Sequence, residues 1–398
     1  MFSTTKNKSL GLFLLFLLCP ILALPFIING IRIGDKKCYF LFTIFMGLIA
    51  YMLAPIADLG GHYIYSDFLS RMDWEVFKIY LSSKKDYITQ IIEWGIPQIG
   101  LPFEILPLLE VVISFSLIHS MFCYSIKNSS KLYTKKEIFI RYVLYLLLFP
   151  FIILVSGIRF GIAVVIMLYA FHLWLERKKM IWPILLICIS CFIHFSITYF
   201  VIPIVILLYI PLNKYRMIFL LVIALASKAM INESTANYLI ENEMAGSAYL
   251  GDGVWGNTEN KDFANTAIIY HWGQRVLLLP LLFILFSHFK QMKRWGNILL
   301  GFILLFIVFM NFFTITQRIT VCILIFSIFF LLKIEDNGYT LSHKSRRILV
   351  ICAIISCCFD IWTHRKFINL SNYQRLLQPA PITLIQTYSK DWVLKNNT

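Results

Sequence analysis

The stretch IWPILLICISCFIHFSITYFVIPIVILLYIP, residues 181–211, decides how the rest of this chain is read. A helix needs about 20 apolar residues to cross a hydrocarbon core about 30 Å thick. This run is too long for one ordinary crossing and short for two, and Phe192-Ile193-His194-Phe195-Ser196 lies at its middle. Charge decides between the options. Basic loops at 127–136, 177–179, 290–294 and 333–347 should share the cytoplasmic side. A single crossing at 181–211 would put 290–294 on the wrong side. Two short helices folded about His194 bring all four loops into agreement, for about twelve crossings in all.

Working outward, further apolar runs lie near 10–29, 39–57, 103–126, 138–155, 160–175, 217–230, 267–289, 297–311, 315–333 and 348–362. Hydrophobic residues make up 59% of the 398 and charged residues only 14%, too little polar surface for a water-facing exterior. The runs lack the alternation of barrel strands, so the spans are helical, with backbone polar groups satisfied internally. The fold class is therefore all-α, a polytopic membrane bundle of about 11–12 transmembrane helices with large outer-face loops. The net charge of +15 reflects Lys and Arg in short loops and gives no case for nucleic acid. The nine cysteines have no metal-ligand spacing, and Cys188, Cys191, Cys352, Cys357 and Cys358 lie within apolar stretches as packing residues. The run at 10–29 lacks a small-x-small cleavage site and is kept as a span.

The whole of 1–398 is read as one integral membrane domain. Within it are an outer-face loop at 58–102 with a surface helix around 67–81, re-entrant or paired short helices at 181–211, an acidic outer-face loop at 231–266, and an outer-face tail at 363–398. This orientation places both termini outside, although Lys6 and Lys8 argue against that for the amino end. Loops of such length are uncommon unless functional or disordered. No internal repeat of the kind that builds many transporters is present.

Arg159 sits in Ser156-Gly157-Ile158-Arg159-Phe160-Gly161, a turn joining two apolar helices at the outer face. An Arg there faces a partner, a watery cavity or lipid phosphates, and small neighbours with a helix amino terminus suit a diphosphate or sugar carboxylate. His194 marks the fold-back; the plain reading is a satisfied core histidine. Arg275 and Arg318 lie near outer boundaries of later spans, and with Arg159 they would form a cluster able to stabilise a departing diphosphate. The competing reading is three separate interfacial anchors. For acid–base work the outer face offers Asp58 and His62, then Asp67, Asp73, Glu75 and Glu93, with nothing to select among them; Glu104 and Glu110 lie near the start of the third span. P-loop, dinucleotide, HExxH and GxSxG signatures are absent.

The block from Ser156 to Ala163, the basic Glu176-Arg177-Lys178-Lys179, and Phe192-Ile193-His194-Phe195-Ser196 together resemble the bacterial EpsG/Wzy-type polysaccharide polymerases. Asp58-Leu-Gly-Gly-His62-Tyr-Ile-Tyr65 looks like that family's acidic-aromatic segment after the second span, although Ala54-Pro55-Ile56-Ala57 stands where the family commonly has an Arg. The matching core covers roughly 55–205. The resemblance implies a GT-C-like inner-membrane glycosyltransferase with its active site at the periplasmic face. It would move a growing glycan from undecaprenyl diphosphate onto the next undecaprenyl-linked repeat unit, by inverting transfer without metal or other cofactor. Arg159 and His194 match the family by position, and Asp58 and His62 match loosely. Arg275 and Arg318 are added on physical grounds as diphosphate ligands. Expected partners are the lipid-linked oligosaccharides, membrane lipid and a chain-length regulator protein. The alternatives are a flippase for the same lipid-linked sugars, an O-antigen ligase or other membrane glycosyltransferase, and an acyltransferase.

Overall fold

The computed structural model describes residues 5–176, 180–230, 273, 275–338 and 341–397, and among them the chain is helical with no β-strand. The acidic loop at 231–266 and the basic residues 177–179 lie outside the described residues. Among those described, Ile105–Lys127, Ile158–Glu176 and Phe313–Asp336 are each long and apolar enough to cross a bilayer alone. Shorter apolar helices surround them, and the protein is an all-α polytopic membrane protein.

Helices α1 (Thr5–Leu18) and α2 (Pro20–Ile33) meet at Cys19, whose extended backbone precedes a proline at the first position of α2. The run at 10–29 is thus a hairpin and not the single span expected. Lys37 Nζ, in α3 (Lys36–Tyr51), donates to Ser9 Oγ at 3.1 Å, whereas a straight rod from residue 9 to residue 33 would be about 36 Å long. The start of α1 therefore lies on the side of Lys36 and Lys37, opposite to the expected placement of the amino end.

The segment after α3 holds three helices, α4 (Ala57–Ser70), α5 (Trp74–Ser82) and α6 (Tyr87–Gln98). The surface helix expected around 67–81 is split, because the Asp73 carboxylate accepts the Val76 N–H and starts a new helix there. Helix α6 is polar inside and apolar outside: Thr89, Gln90 and Glu93 are buried while Ile91 and Ile92 are exposed. That inversion suits a helix whose outer face meets lipid and whose inner face lines a polar interior.

Next come α7 (Ile105–Lys127), α8 (Lys135–Leu148), α9 (Phe151–Ser156) and α10 (Ile158–Glu176). The span expected at 138–155 is interrupted at Phe149-Pro150, where proline supplies no N–H to continue α8. Helices α11 (Ile181–Ile193) and α12 (Ile197–Tyr209) are separated by His194, extended at φ −147°, ψ 106°. Ser190 Oγ donates to the Ala163 carbonyl, so α11 runs antiparallel to α10. Phe200 then packs on Phe160, while Asn297 Nδ2 reaches the Leu207 carbonyl and neighbouring Trp295 packs on His172. The chain therefore reverses at His194, and α12 returns toward the level at which α11 began.

After α13 (Lys214–Met230) comes α14 (Leu278–Val308), in which the basic residues 290–294 stand between two apolar stretches. Helix α14 is no straight rod. The Arg275 guanidinium lies 5.7 Å from the Phe306 ring, whereas residues 278 and 306 of an ideal helix are about 42 Å apart. Its two apolar arms, Leu278–His288 and Arg294–Val308, double back on each other.

Helices α15 (Phe313–Asp336) and α16 (His343–Thr363) complete the bundle. Ion pairs gather one set of helix ends on one side. Arg141 of α8 pairs with Glu335, Lys333 pairs with Glu176 at the end of α10, and Ser130 after α7 binds Asp336. The starts of α7, α10 and α15 consequently lie on the opposite side, with Arg159 and Arg318.

The tail folds as α17 (Arg365–Leu370), a tight turn at Tyr373–Leu377, α18 (Ala380–Thr383) and α19 (Lys390–Asn397). It closes over the non-helical residues after α3. The Tyr388 hydroxyl donates to the Met52 carbonyl at 2.9 Å, Ser371 Oγ accepts the Ala54 N–H at 2.8 Å, and Glu104 Oε1 accepts the Tyr388 N–H at 2.7 Å. Backbone groups that leave a helix inside a membrane protein need such partners.

Candidate functional site

The turn between α9 and α10 is built on two glycines with carboxyl groups beside them. Asp58 Oδ2 lies 3.8 Å from where a Cβ on Gly157 would stand, and Glu110 Oε1 lies 2.5 Å from the corresponding point on Gly161. The turn delivers Arg159 at the second residue of α10, on the opposite face of that helix from Gly161.

Arg159 meets Asp86, the residue that precedes α6. Its Nη1 is 3.2 Å from Asp86 Oδ2, and His194 Nδ1 approaches the same oxygen at 3.1 Å. The Phe195 N–H donates to Asp86 Oδ1 at 2.8 Å. On the far side of the imidazole, Arg318 Nη1 lies 3.0 Å from His194 Nε2, and its guanidinium stacks 4.9 Å above the Phe160 ring. Four segments distant in sequence thus converge: the start of α6, the start of α10, the α11–α12 break and the first turns of α15. Burial works against ionisation of Asp86. The hydrogen bonds from His194 and the Phe195 N–H, with the Arg159 charge, outweigh it and hold the carboxyl below the usual aspartate range.

Arg159, His194 and Arg318 are therefore brought together. Arg275 is not part of that face. Its Nη2 donates to Thr316 Oγ1 at 3.0 Å and its guanidinium lies against Phe306 and Phe313, and Thr316 and Arg318 point to nearly opposite sides of α15. Asp58 is exposed beside Gly157. His62 is buried, its Nδ1 2.6 Å from Glu93 Oε1.

Asp86 is the residue that sequence reasoning missed. A signal was present: Asp86, Gln90 and Glu93 fall on one face of a helix that is otherwise rich in isoleucine. That face carries a polar row. Tyr65 donates to Gln90 Oε1 at 2.6 Å, between the His62–Glu93 pair and the Asp86 cluster.

The arrangement offers an anion site: the Arg159 guanidinium, the imidazole and a backbone N–H surround the Asp86 carboxylate, and the Arg318 guanidinium lies beyond the imidazole. A bidentate phosphate or diphosphate could engage the same donors. In comparison with known proteins, the EpsG family model matches residues 63–376, a range that begins just past His62 and takes in Asp86, Arg159, His194, Arg275 and Arg318. No curated protein and no solved structure matches the chain.

Proposed function

The chain belongs to the EpsG family, whose members have a polysaccharide-polymerase type of function, and on that premise we propose that it polymerises undecaprenyl-diphosphate-linked oligosaccharide repeat units. The observation that carries this reading is the convergence of Arg159, Arg318 and His194 on the side away from the paired basic helix ends. The positive-inside rule, which favours basic helix ends on the cytoplasmic side, supports a cluster at the periplasmic face of the bacterial inner membrane.

Transfer is inverting and needs no metal. The acceptor hydroxyl attacks the anomeric carbon of the lipid-linked donor as the bond to the diphosphate breaks. The developing charge on the leaving group is met by Arg159 and Arg318, held beside Asp86 and the buried His194. Two arginines in place before the reaction are worth more to the transition state than mobile surface cations.

Arg159→Ala tests the reading in cells. The expected result is loss of long chains with single repeat units still present on the lipid carrier. Normal chain length in that variant would overturn the assignment. Deletion of the gene separates the neighbouring activities: a polymerase defect leaves core plus one repeat unit, and a ligase or flippase defect leaves core alone.

A further inference from the structure

His194 stands between two partners of fixed chemistry. An ionised carboxylate only accepts hydrogen bonds, and a guanidinium only donates them. Asp86 Oδ2 at 3.1 Å therefore requires the ring proton on Nδ1, and Arg318 at 3.0 Å requires a lone pair on Nε2. The two contacts specify a neutral imidazole whose basic nitrogen is turned toward Arg318 in a buried position.

Asp86 is poorly suited to be the base itself. Its Oδ1 is held by the Phe195 N–H and its Oδ2 by Arg159 and His194. It also lies below the usual aspartate range, so it has little tendency to take up a proton. Nε2 of His194 is the better acceptor, and what covers it is the group a diphosphate would attract. A guanidinium binds a multiply charged diphosphate, in bidentate fashion, more strongly than it binds one neutral imidazole nitrogen.

We propose that Asp86 and Arg318 hold His194 as a latent general base for the acceptor sugar: Asp86 fixes the proton on Nδ1, and Arg318 covers Nε2 until a diphosphate-bearing donor draws its guanidinium away. The inference rests on the donor assigned under the proposed function. In the step that follows, the acceptor O–H bond breaks and its proton passes to Nε2. The oxygen's electron pair forms the new bond to the anomeric carbon. The bond from that carbon to the diphosphate oxygen breaks, and its pair leaves with the diphosphate, facing Arg159 and Arg318. The imidazolium so formed is balanced by Asp86 and returns its proton to water. His194 is the catalytic residue and Asp86 a positioning residue. Donor binding precedes activation of the acceptor, so the base is uncovered only when there is a glycan to transfer.

The test uses the full chain in lipid nanodiscs with 15N-labelled histidine, His194→Gln to assign the resonance, and farnesyl diphosphate as the probe. The resting protein should give the signature of a proton on Nδ1 and a hydrogen-bonded lone pair on Nε2. Farnesyl diphosphate should then shift the Nε2 signal, as the Arg318 hydrogen bond is lost. In a purified polymerisation assay, Asp86→Asn should lower kcat about 100-fold or more while the donor KM holds or falls. Asp86→Glu, which keeps the carboxylate, should recover part of kcat. A resting proton on Nε2, bound probe with an unchanged Nε2 signal, or full kcat in Asp86→Asn would each overturn the latent-base arrangement alone. Failure of farnesyl diphosphate to bind at all would instead overturn the donor assignment beneath it.

Discussion

The carboxyl group of Glu110 occupies the space that a side chain on Gly161 would need. Its Oε1 lies 2.5 Å from the ideal Cβ position, and the Leu154 carbonyl oxygen lies at the same distance. A methyl group there meets backbone on one side, so it is not relieved by rotating a side chain. Gly161→Ala should cost about 1–3 kcal/mol through overpacking. It should also shift the α9–α10 turn that carries Arg159. Thermal melting in detergent, with a polymerisation assay per folded molecule, reads both effects. A melting point within a degree of wild type would show that the turn absorbs the methyl group.

Neither carboxyl oxygen of Glu110 has a hydrogen-bond partner among the described residues. Gly161 stands out in the sequence as a small residue next to Arg159, and close backbone approach explains half of its role. The other half, room for a carboxyl from α7, joins residues 51 apart in the chain (161 − 110) and leaves no local signature. Asp86 was hidden for the same reason, because its partners lie 73 and 108 residues away. What the sequence does carry is periodicity and punctuation. The apolar runs at 103–126, 160–175 and 315–333 coincide with the three long apolar helices, and His194, between two such runs, marked a reversal that the backbone makes. Proline at 20 and 150 broke two runs that composition alone presented as continuous. Arg275 and Arg318 look alike from sequence, since both lie near a helix start. Only the packing around Thr316 separates them.

The His62–Glu93 pair carries a second expectation. Glu93 is fully buried and its Oε2 has no partner among the described residues, so its link to His62 is the contact that makes the carboxyl tolerable there. Removing either member leaves the other buried and unsatisfied. His62→Ala and Glu93→Ala should each destabilise the protein by about 1–3 kcal/mol, and the double variant by much less than their sum. A double-mutant cycle on melting free energies measures the coupling. His62 also stood among the candidate catalytic residues. If it acts in the chemistry, His62→Gln would abolish turnover in protein that remains folded. A structural partner predicts turnover per folded molecule close to wild type.

Acid pH should leave the Asp86 cluster intact longer than an ordinary aspartate would allow. The carboxyl is held below its usual value of 3.8 in the folded state. The stability it contributes is therefore fully present above that value and is lost as pH falls through the lower, folded-state one. Melting of wild type and Asp86→Asn, compared from neutral pH downward, should show a constant gap to about pH 4 and a closing gap below it. A gap that already closes well above pH 5 would mean that burial, not the His194, Phe195 and Arg159 contacts, dominates at this carboxyl.

The carboxyl-terminal tail should contribute to stability out of proportion to its length. The segment beyond residue 376 lies outside the family match, yet Tyr388 alone binds the Met52 carbonyl through its hydroxyl and Glu104 through its N–H. The Met52 carbonyl belongs to the stretch between α3 and α4 where helical hydrogen bonding stops. Tyr388→Phe removes only the hydroxyl, so it should cost about 0.5–1.5 kcal/mol and leave the ring packed on Trp392. Truncation before Ala380 removes the Glu104 contact and the Tyr51–Leu384 bond as well, and should lower the melting point considerably further. Lys390→Ala serves as the control. Its ion pair with Asp67 is exposed, and such pairs contribute about 0–1 kcal/mol. Equal losses from Tyr388→Phe and Lys390→Ala would argue that the tail is held by its surface charges and not by the backbone groups it covers.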